Sequence, residues 1–127
     1  MIVDASALVA IVLREPGWDA LVEKLAAGPA GAGAPTLADA GLVLTAKLGP
    51  RGRSLLARLV QEARITVVPF TEEHWPTAID AYARFGKGRH PAALNFGDCL
   101  TYAVARLAGQ PLLYVGEDFA NTDLPGA

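Results

Sequence analysis

Apolar residues open the chain. Met1-Ile2-Val3 reads as a short buried strand, and Asp4 follows it at once. Ser6 is placed to cap a helix through Ala7 to Leu13, and Pro16-Gly17 breaks that helix. Trp18, Leu21, Val22 and Leu25 recur at helical spacing and predict a second helix over about Trp18 to Ala27. Gly28 to Pro35 holds only Gly, Ala and Pro, the composition of a loop. A third helix is expected from near Thr36, with Leu37, Gly41, Leu44 and Leu48 along one face, ending at Gly49-Pro50. Arg51 to Glu62 has the pattern of an amphipathic fourth helix.

Ile65 to Phe70 carries β-branched residues and a late proline, as a strand does. Thr71 is expected to cap a helix reaching about Phe85. Gly86 to Asn95 reads as a basic, Gly-bearing loop, about Gly97 to Ala108 as a helix, and Pro111 to Val115 as a last strand. Strands separated by helices imply a mostly parallel sheet covered on both faces. No repeat or linker divides the chain. The expected fold is therefore α/β: a three-layer α/β/α sandwich in one domain, residues 1–127.

Composition narrows this picture. With 52% apolar and 19% charged residues the chain is built to bury a core, which excludes a disordered polypeptide. The single cysteine, Cys99, excludes an internal disulfide and fits a reducing compartment. The apolar run Ala7 to Leu13 is too short to span a bilayer and ends at Arg14-Glu15, and no basic leader precedes the first strand. A cytoplasmic protein with no membrane association is expected. The net charge of −2 provides no general attraction for nucleic acid. Handling RNA would require basic residues clustered near a site, or acids there that bind metal.

The acids are placed for the second option. Asp4 directly follows one buried strand and Asp118 comes shortly after another. Ligands of open parallel sheets bind outside the carboxyl ends of strands. Asp98 stands at a helix start in Asn95-Phe96-Gly97-Asp98, and Asp39 falls in the first turn of the third helix. Converging carboxylates repel one another, and their common use is to hold a hard cation such as Mg²⁺ or Mn²⁺. A water on such an ion can attack a phosphodiester. Each acid also has a structural reading. Thr36-x-x-Asp39 is close to a capping box, Asp98 can favour a helix N-terminus, Asp4 can begin a tight turn, and Asp118 can be solvated with Glu117 and Asp123.

Together these segments resemble the PIN-domain family, nearest to its VapC toxins. The similarity runs from Met1-Ile2-Val3-Asp4-Ala5-Ser6-Ala7-Leu8 through Thr36-Leu37-Ala38-Asp39-Ala40-Gly41 and Gly86-Lys87-Gly88-Arg89-His90-Pro91. It continues with Leu94-Asn95-Phe96-Gly97-Asp98-Cys99 and Tyr102-Ala103, and closes on Gly116-Glu117-Asp118-Phe119-Ala120-Asn121-Thr122-Asp123. The resemblance implies a PIN-like sandwich and a metal-dependent endoribonuclease. Asp4, Asp98 and Asp118 would be its catalytic, metal-holding acids, and Asp39 a fourth catalytic acid. It also implies Mg²⁺ or Mn²⁺ as cofactor, RNA as substrate, a VapB-like antitoxin as partner, and a homodimer. The chain departs from the family at position 39, where glutamate is usual and Asp39 is one methylene shorter.

Ser6 can orient a ligand or metal-bound water from behind, or serve as the helix cap. Thr122 and Asp123 match the family's closing motif and are supporting candidates. Arg84, Lys87, Arg89 and His90 form a basic stretch that can track RNA phosphates or simply be a solvated loop. Arg51, Arg53 and Arg58 read as an ordinary solvated face. Cys99 reads as a core residue, and His74 and His90 lack the spacing of zinc ligands. Two alternatives stand beside the nuclease. One is a PIN scaffold that binds antitoxin or RNA without cutting, which Asp39 favours. The other is an aspartate-dependent phosphatase or receiver domain; Ser6 stands where the phosphatase has its second Asp, and no Lys suits the receiver's strand end.

Overall fold

Ile2 and Val3 face opposite sides of one sheet, and the two cores of the molecule grow from them. In the computed structural model, which describes all residues 1–127, Ile2 packs with Leu112, Phe85, Tyr102 and Val104, whereas Val3 packs with Leu113, Ala32, Leu8 and Leu44. The two residues belong to β1 (Ile2–Val3), and side chains alternate along a strand. The other strands are β2 (Gly31–Gly33), β3 (Thr66–Val68) and β4 (Leu112–Leu113). All pairings are parallel, in the order β3-β2-β1-β4, with Ile2 in register with Gly31 on one side and Leu112 on the other.

Six helices cover this sheet. α1 (Ala5–Leu13), α2 (Trp18–Ala26), α3 (Ala34–Leu48) and α4 (Pro50–Glu62) supply the core on the Val3 side. α5 (His74–Phe85) and α6 (Phe96–Ala108) supply the core on the Ile2 side. The three-layer sandwich and its parallel sheet are as the strand and helix pattern predicts. The chain builds β1, β2 and β3 outward in one direction and then places β4 on the other side of β1. The strand order thus reverses between β1 and β4, where sheets of this kind open a crevice at their carboxyl edge. Asp4, the residue after β1, lies at that point.

Four local expectations are corrected. Gly28 to Pro35 is not all loop, because Gly31–Gly33 is a fully buried inner strand. It lacks β-branched residues since the site has no room for them. A Cβ on Gly33 would come within 2.9 Å of Val104 on α6, and one on Gly31 within 3.2 Å of Val68. Second, α3 begins at Ala34 with Pro35 in its first turn, so Thr36 caps nothing. Its buried hydroxyl instead pairs with that of Thr101 at 3.0 Å, joining α3 to α6. Third, Asp4 rather than Ser6 caps α1, accepting the Ser6 N–H at 3.0 Å. Fourth, α5 starts at His74; Thr71 shapes the turn before it, donating its N–H to His74 Nδ1 at 3.0 Å.

After β4 the chain makes a loop and returns. Leu112 donates to the Pro125 carbonyl and accepts from the Ala127 N–H, each at 2.9 Å, so residues 114–124 form a loop closed at both ends on the same strand. No helix is long and apolar enough to cross a membrane.

Candidate active site

Asp4 is held at the switch point by three kinds of bond. Its N–H donates to the Leu113 carbonyl at 2.9 Å, which ties the end of β1 to β4. Its Oδ2 accepts the Ser6 N–H and, at 2.6 Å, the Ser6 hydroxyl. The same hydroxyl oxygen accepts the Val115 N–H at 3.0 Å. Ser6 therefore spans the two strand ends that border the crevice, and Asp4 is buried with one carboxylate oxygen fixed.

Asp98 reaches the same place from α6. Asn95 and Asp98 form a reciprocal capping box: Asp98 N–H donates to Asn95 Oδ1 at 2.9 Å, and Asn95 N–H donates to Asp98 Oδ2 at 3.1 Å. The cap and the site are thus compatible, since one oxygen serves the helix and the other is left for a ligand. Burial first, opposed by the Asn95 N–H and aided by the negative charges of Asp4, Asp118 and Asp39, leaves the Asp98 carboxyl pushed up to about 6.

Asp39 lies in the second turn of α3, because the helix begins earlier than expected, and it makes no cap. Partial burial first, then the charge of Asp4, raises its carboxyl above the ordinary range. Its Oδ2 rests on Gly97, where a Cβ would approach to 2.7 Å. Asp118 precedes a 3-10 turn over Phe119–Asn121; its main-chain carbonyl accepts the Asn121 N–H at 3.4 Å, but its carboxylate caps none of the turn's N–H groups and stays free.

Asp4, Ser6, Glu15, Asp39, Asn95 and Asp98 line a shallow cleft of about 350 Å³, with Val9, Val43 and Val115 as its apolar walls. Asp118 stands outside that lining but close enough for its charge to be felt at Asp98. A larger cavity, about 640 Å³, lies beside Ile11, Val22, Leu25 and Leu59 on the far side of α1 and contains none of the four acids. Size does not locate the chemistry here.

No cation neutralises the four acids. The ion pairs of the molecule join Arg58 to Glu62, and Arg84 and Arg106 to Asp123. As the side chains stand, no three of them are gathered tightly enough to hold an ion. The donor chemistry of the set, oxygen only and anionic, is that of a hard divalent cation.

Comparison with known proteins decides the family. The model of the PIN domain matches residues 1–124. The chain belongs to the PIN-domain family. Among similar proteins, Ribonuclease VapC36 of Mycobacterium tuberculosis is 51% identical over 98% of this chain and 91% of its own length. Ribonuclease VapC of Mycolicibacterium smegmatis is 38% identical over 98% of this chain and 97% of its own length. The crystal structure of Mycobacterium tuberculosis VapC20, a sarcin–ricin loop cleaving toxin, aligns with a TM-score of 0.81 over 99% of this chain and 97% of that one. At 18% identity this last likeness speaks for the fold alone.

Within this PIN domain the remaining sequence candidates separate. Thr122 donates its hydroxyl to the Phe119 carbonyl at 2.7 Å and closes the 3-10 turn. Asp123 accepts from Tyr102 and Arg84 and does not line the cleft. Arg84 is thereby engaged, whereas Lys87 and Arg89 are exposed in the loop and make no ion pair. His90 Nδ1 accepts the Ala92 N–H at 3.0 Å, and its ring stands edge-on to Phe85, which makes it a shaping element of that loop. Cys99 is buried and its thiol is pushed up to about 11, by burial first and then by Asp98, so it is no nucleophile. Three participants escaped the sequence reading: Glu15 and Asn95 on the cleft wall, and Gly97 beneath Asp39. Asn95-x-x-Asp98 was the readable signal for one of them, as a capping-box spacing.

Proposed function

We propose that this PIN domain is the toxin of a VapBC-type pair, an endoribonuclease that depends on Mg²⁺ or Mn²⁺ and works in the cytoplasm. One observation carries the reading: Asp4, Asp39 and Asp98 line one cleft beside Asp118, and none of the four acids has a cationic partner. Asp4, Asp98 and Asp118 would hold the ion, with Asp39 at its edge. A divalent ion so bound supplies Lewis-acid charge for the phosphodiester and a water of lowered pKa.

The chain's own residues do the rest. Ser6 holds Asp4 Oδ2 in place and leaves Oδ1 for a ligand. The capping box does the same for Asp98. Val9, Val43 and Val115 form the apolar part of the cleft wall. Lys87 and Arg89, exposed and outside the ion pairs, would meet RNA phosphates, which positions a strand without selecting its bases. The names of the relatives, ribonuclease and VapC, support RNA as substrate and a VapB-like antitoxin as partner. The reading includes a homodimer, for which the exposed apolar residues Ile79, Tyr82 and Phe96 around a shallow pocket between α5 and α6 offer a face.

Cleavage of RNA in the presence of Mg²⁺ or Mn²⁺, stopped by a chelator and by Asp98→Asn, tests the proposal. Expressed alone, the chain should slow growth, and Asp4→Asn should not. Growth arrest that persists in Asp4→Asn would place the toxicity elsewhere. RNA binding without cleavage under every metal tried would favour the non-cutting scaffold, to which the shortened acid at position 39 points.

A further inference from the structure

We infer that Asp123 is a positioning residue: bonded to Tyr102 and Arg84, it sets the loop that carries Asp118 against the helix that carries Asp98. The inference rests on the carboxylate-site reading above. Asp123 Oδ1 accepts the Tyr102 hydroxyl at 2.7 Å, and Oδ2 accepts Arg84 Nη2 at 3.0 Å and, more loosely, Arg106 Nη1 at 3.5 Å. Tyr102 is fully buried in α6, one turn on from Asp98. The helix is rigid, so whatever Asp123 is bonded to moves with Asp98.

The Asp118 loop needs such a tie. Its internal bonds, Asn121 Nδ2 to the Glu117 carbonyl at 2.9 Å and Thr122 Oγ1 to the Phe119 carbonyl at 2.7 Å, give it a shape but no location. Its entering end is located by Val115 on Ser6, and its middle by Phe119, buried in the core that α5 and α6 supply. Asp123 does this for the leaving end. Anchoring the C-terminus does not require it, because buried Leu124 and the pairing of Pro125 and Ala127 with Leu112 do that independently. What remains for Asp123 to place is the leaving side, Ala120 to Thr122, which is tied back to Asp118 by the Asn121 N–H on the Asp118 carbonyl at 3.4 Å. The exposed arginine pairs contribute little by themselves. The buried Tyr102 hydroxyl is the bond that matters. Consistently, these bonds hold the Asp123 carboxyl below the ordinary range against the burial that opposes them, and burial together with Asp123 raises the Tyr102 phenol.

Calorimetric Mn²⁺ titration of the full chain tests this, with amide hydrogen exchange as a second readout. Asp123→Ala should weaken Mn²⁺ binding about tenfold, the usual scale for residues that hold a metal ligand in place. Tyr102→Phe should weaken it in the same direction, and Asp123→Asn, which still accepts the Tyr102 hydroxyl, should keep most of the affinity. Exchange should quicken at residues 120–122 and not in α1. Leu25→Ala serves as a control that lowers the melting temperature through the opposite core. Wild-type affinity in Asp123→Ala, or an equal loss in Leu25→Ala, overturns the inference. So does a loss in Asp123→Ala with Tyr102→Phe unchanged, which would make Asp123 a ligand itself. If Asp98→Asn also leaves binding unchanged, the carboxylate site fails and this inference with it. If Asp98→Asn weakens binding and Asp123→Ala does not, only the positioning role fails.

Discussion

The Ser6 hydroxyl donates to Asp4 Oδ2 at 2.6 Å while its oxygen accepts the Val115 N–H, so a single side chain joins the first acid to the segment leading to the last. Ser6→Ala removes both bonds. It should lower RNA cleavage about tenfold, the scale seen when a metal ligand loses its hydrogen-bonding support. It should also cost about 1 kcal/mol of stability. Ser6→Thr keeps the hydroxyl and should retain most of both. Cleavage rates and melting curves for the two variants check this; alanine and threonine behaving alike would remove Ser6 from the site.

Asp39 is not a helix cap, and its removal should show it. The carboxylate is partly buried and repelled by Asp4, so Asp39→Ala should leave the metal-free protein as stable as before or more so, while RNA cleavage falls. A capping residue would cost about 0.5–2 kcal/mol when replaced by alanine. A loss of that size with turnover unchanged would return Asp39 to a structural role.

Gly97 carries opposite expectations for stability and function. In the first turn of α6, alanine is favoured over glycine by up to about 1 kcal/mol. The added Cβ, however, would meet Asp39 Oδ2 at 2.7 Å and displace it. Gly97→Ala should therefore cleave RNA more slowly without being less stable. In the background of Asp39→Ala the same change should raise the melting temperature and have no further effect on turnover. If Gly97→Ala lowers cleavage equally with and without Asp39, the contact is irrelevant.

Protons and metal should compete at Asp98. Its carboxyl is pushed up to about 6 from 3.8, so between those values the metal-free native state holds more protons than the unfolded chain. Metal-free stability is then highest at the acid end of that window and falls as pH rises through about 6. Saturating Mn²⁺ should reverse the slope, because the ionised carboxylate is the form that binds. Melting temperatures across this range, with chelator and with Mn²⁺, give the two slopes directly. In Asp98→Asn both should flatten. Parallel slopes for the two conditions would mean that the ion binds elsewhere.

The basic loop should divide into two behaviours. Lys87→Gln and Arg89→Gln should weaken RNA binding and each lower the salt dependence by about one counterion. Arg84, engaged by Asp123, should change the salt dependence little when replaced by Gln. Binding isotherms at several salt concentrations distinguish them. Identical slopes for all three variants would show that the pairing with Asp123 is broken in solution.

Helix spacing in Trp18–Leu25, the strand near Thr66–Val68 and the order of the acids along the chain were legible in the sequence, because they depend on neighbours within a few residues. So was the departure at position 39. The inner strand Gly31–Gly33 was not, since its residues are chosen by the approach of Val104 and Val68 from distant segments and not by any strand preference of their own. Thr36 looked like a cap until Thr101 on another helix claimed its hydroxyl. Arg84 and Asp123 looked independent, a phosphate contact and a supporting acid, and only folding brings them to 3.0 Å. Sequence by itself determined which groups this protein has for its chemistry, because side-chain identity is written residue by residue. The tertiary structure decided which of those groups are free, which are engaged and which face one another, because hydrogen bonds and charge repulsion act through space over distances that the chain order does not record.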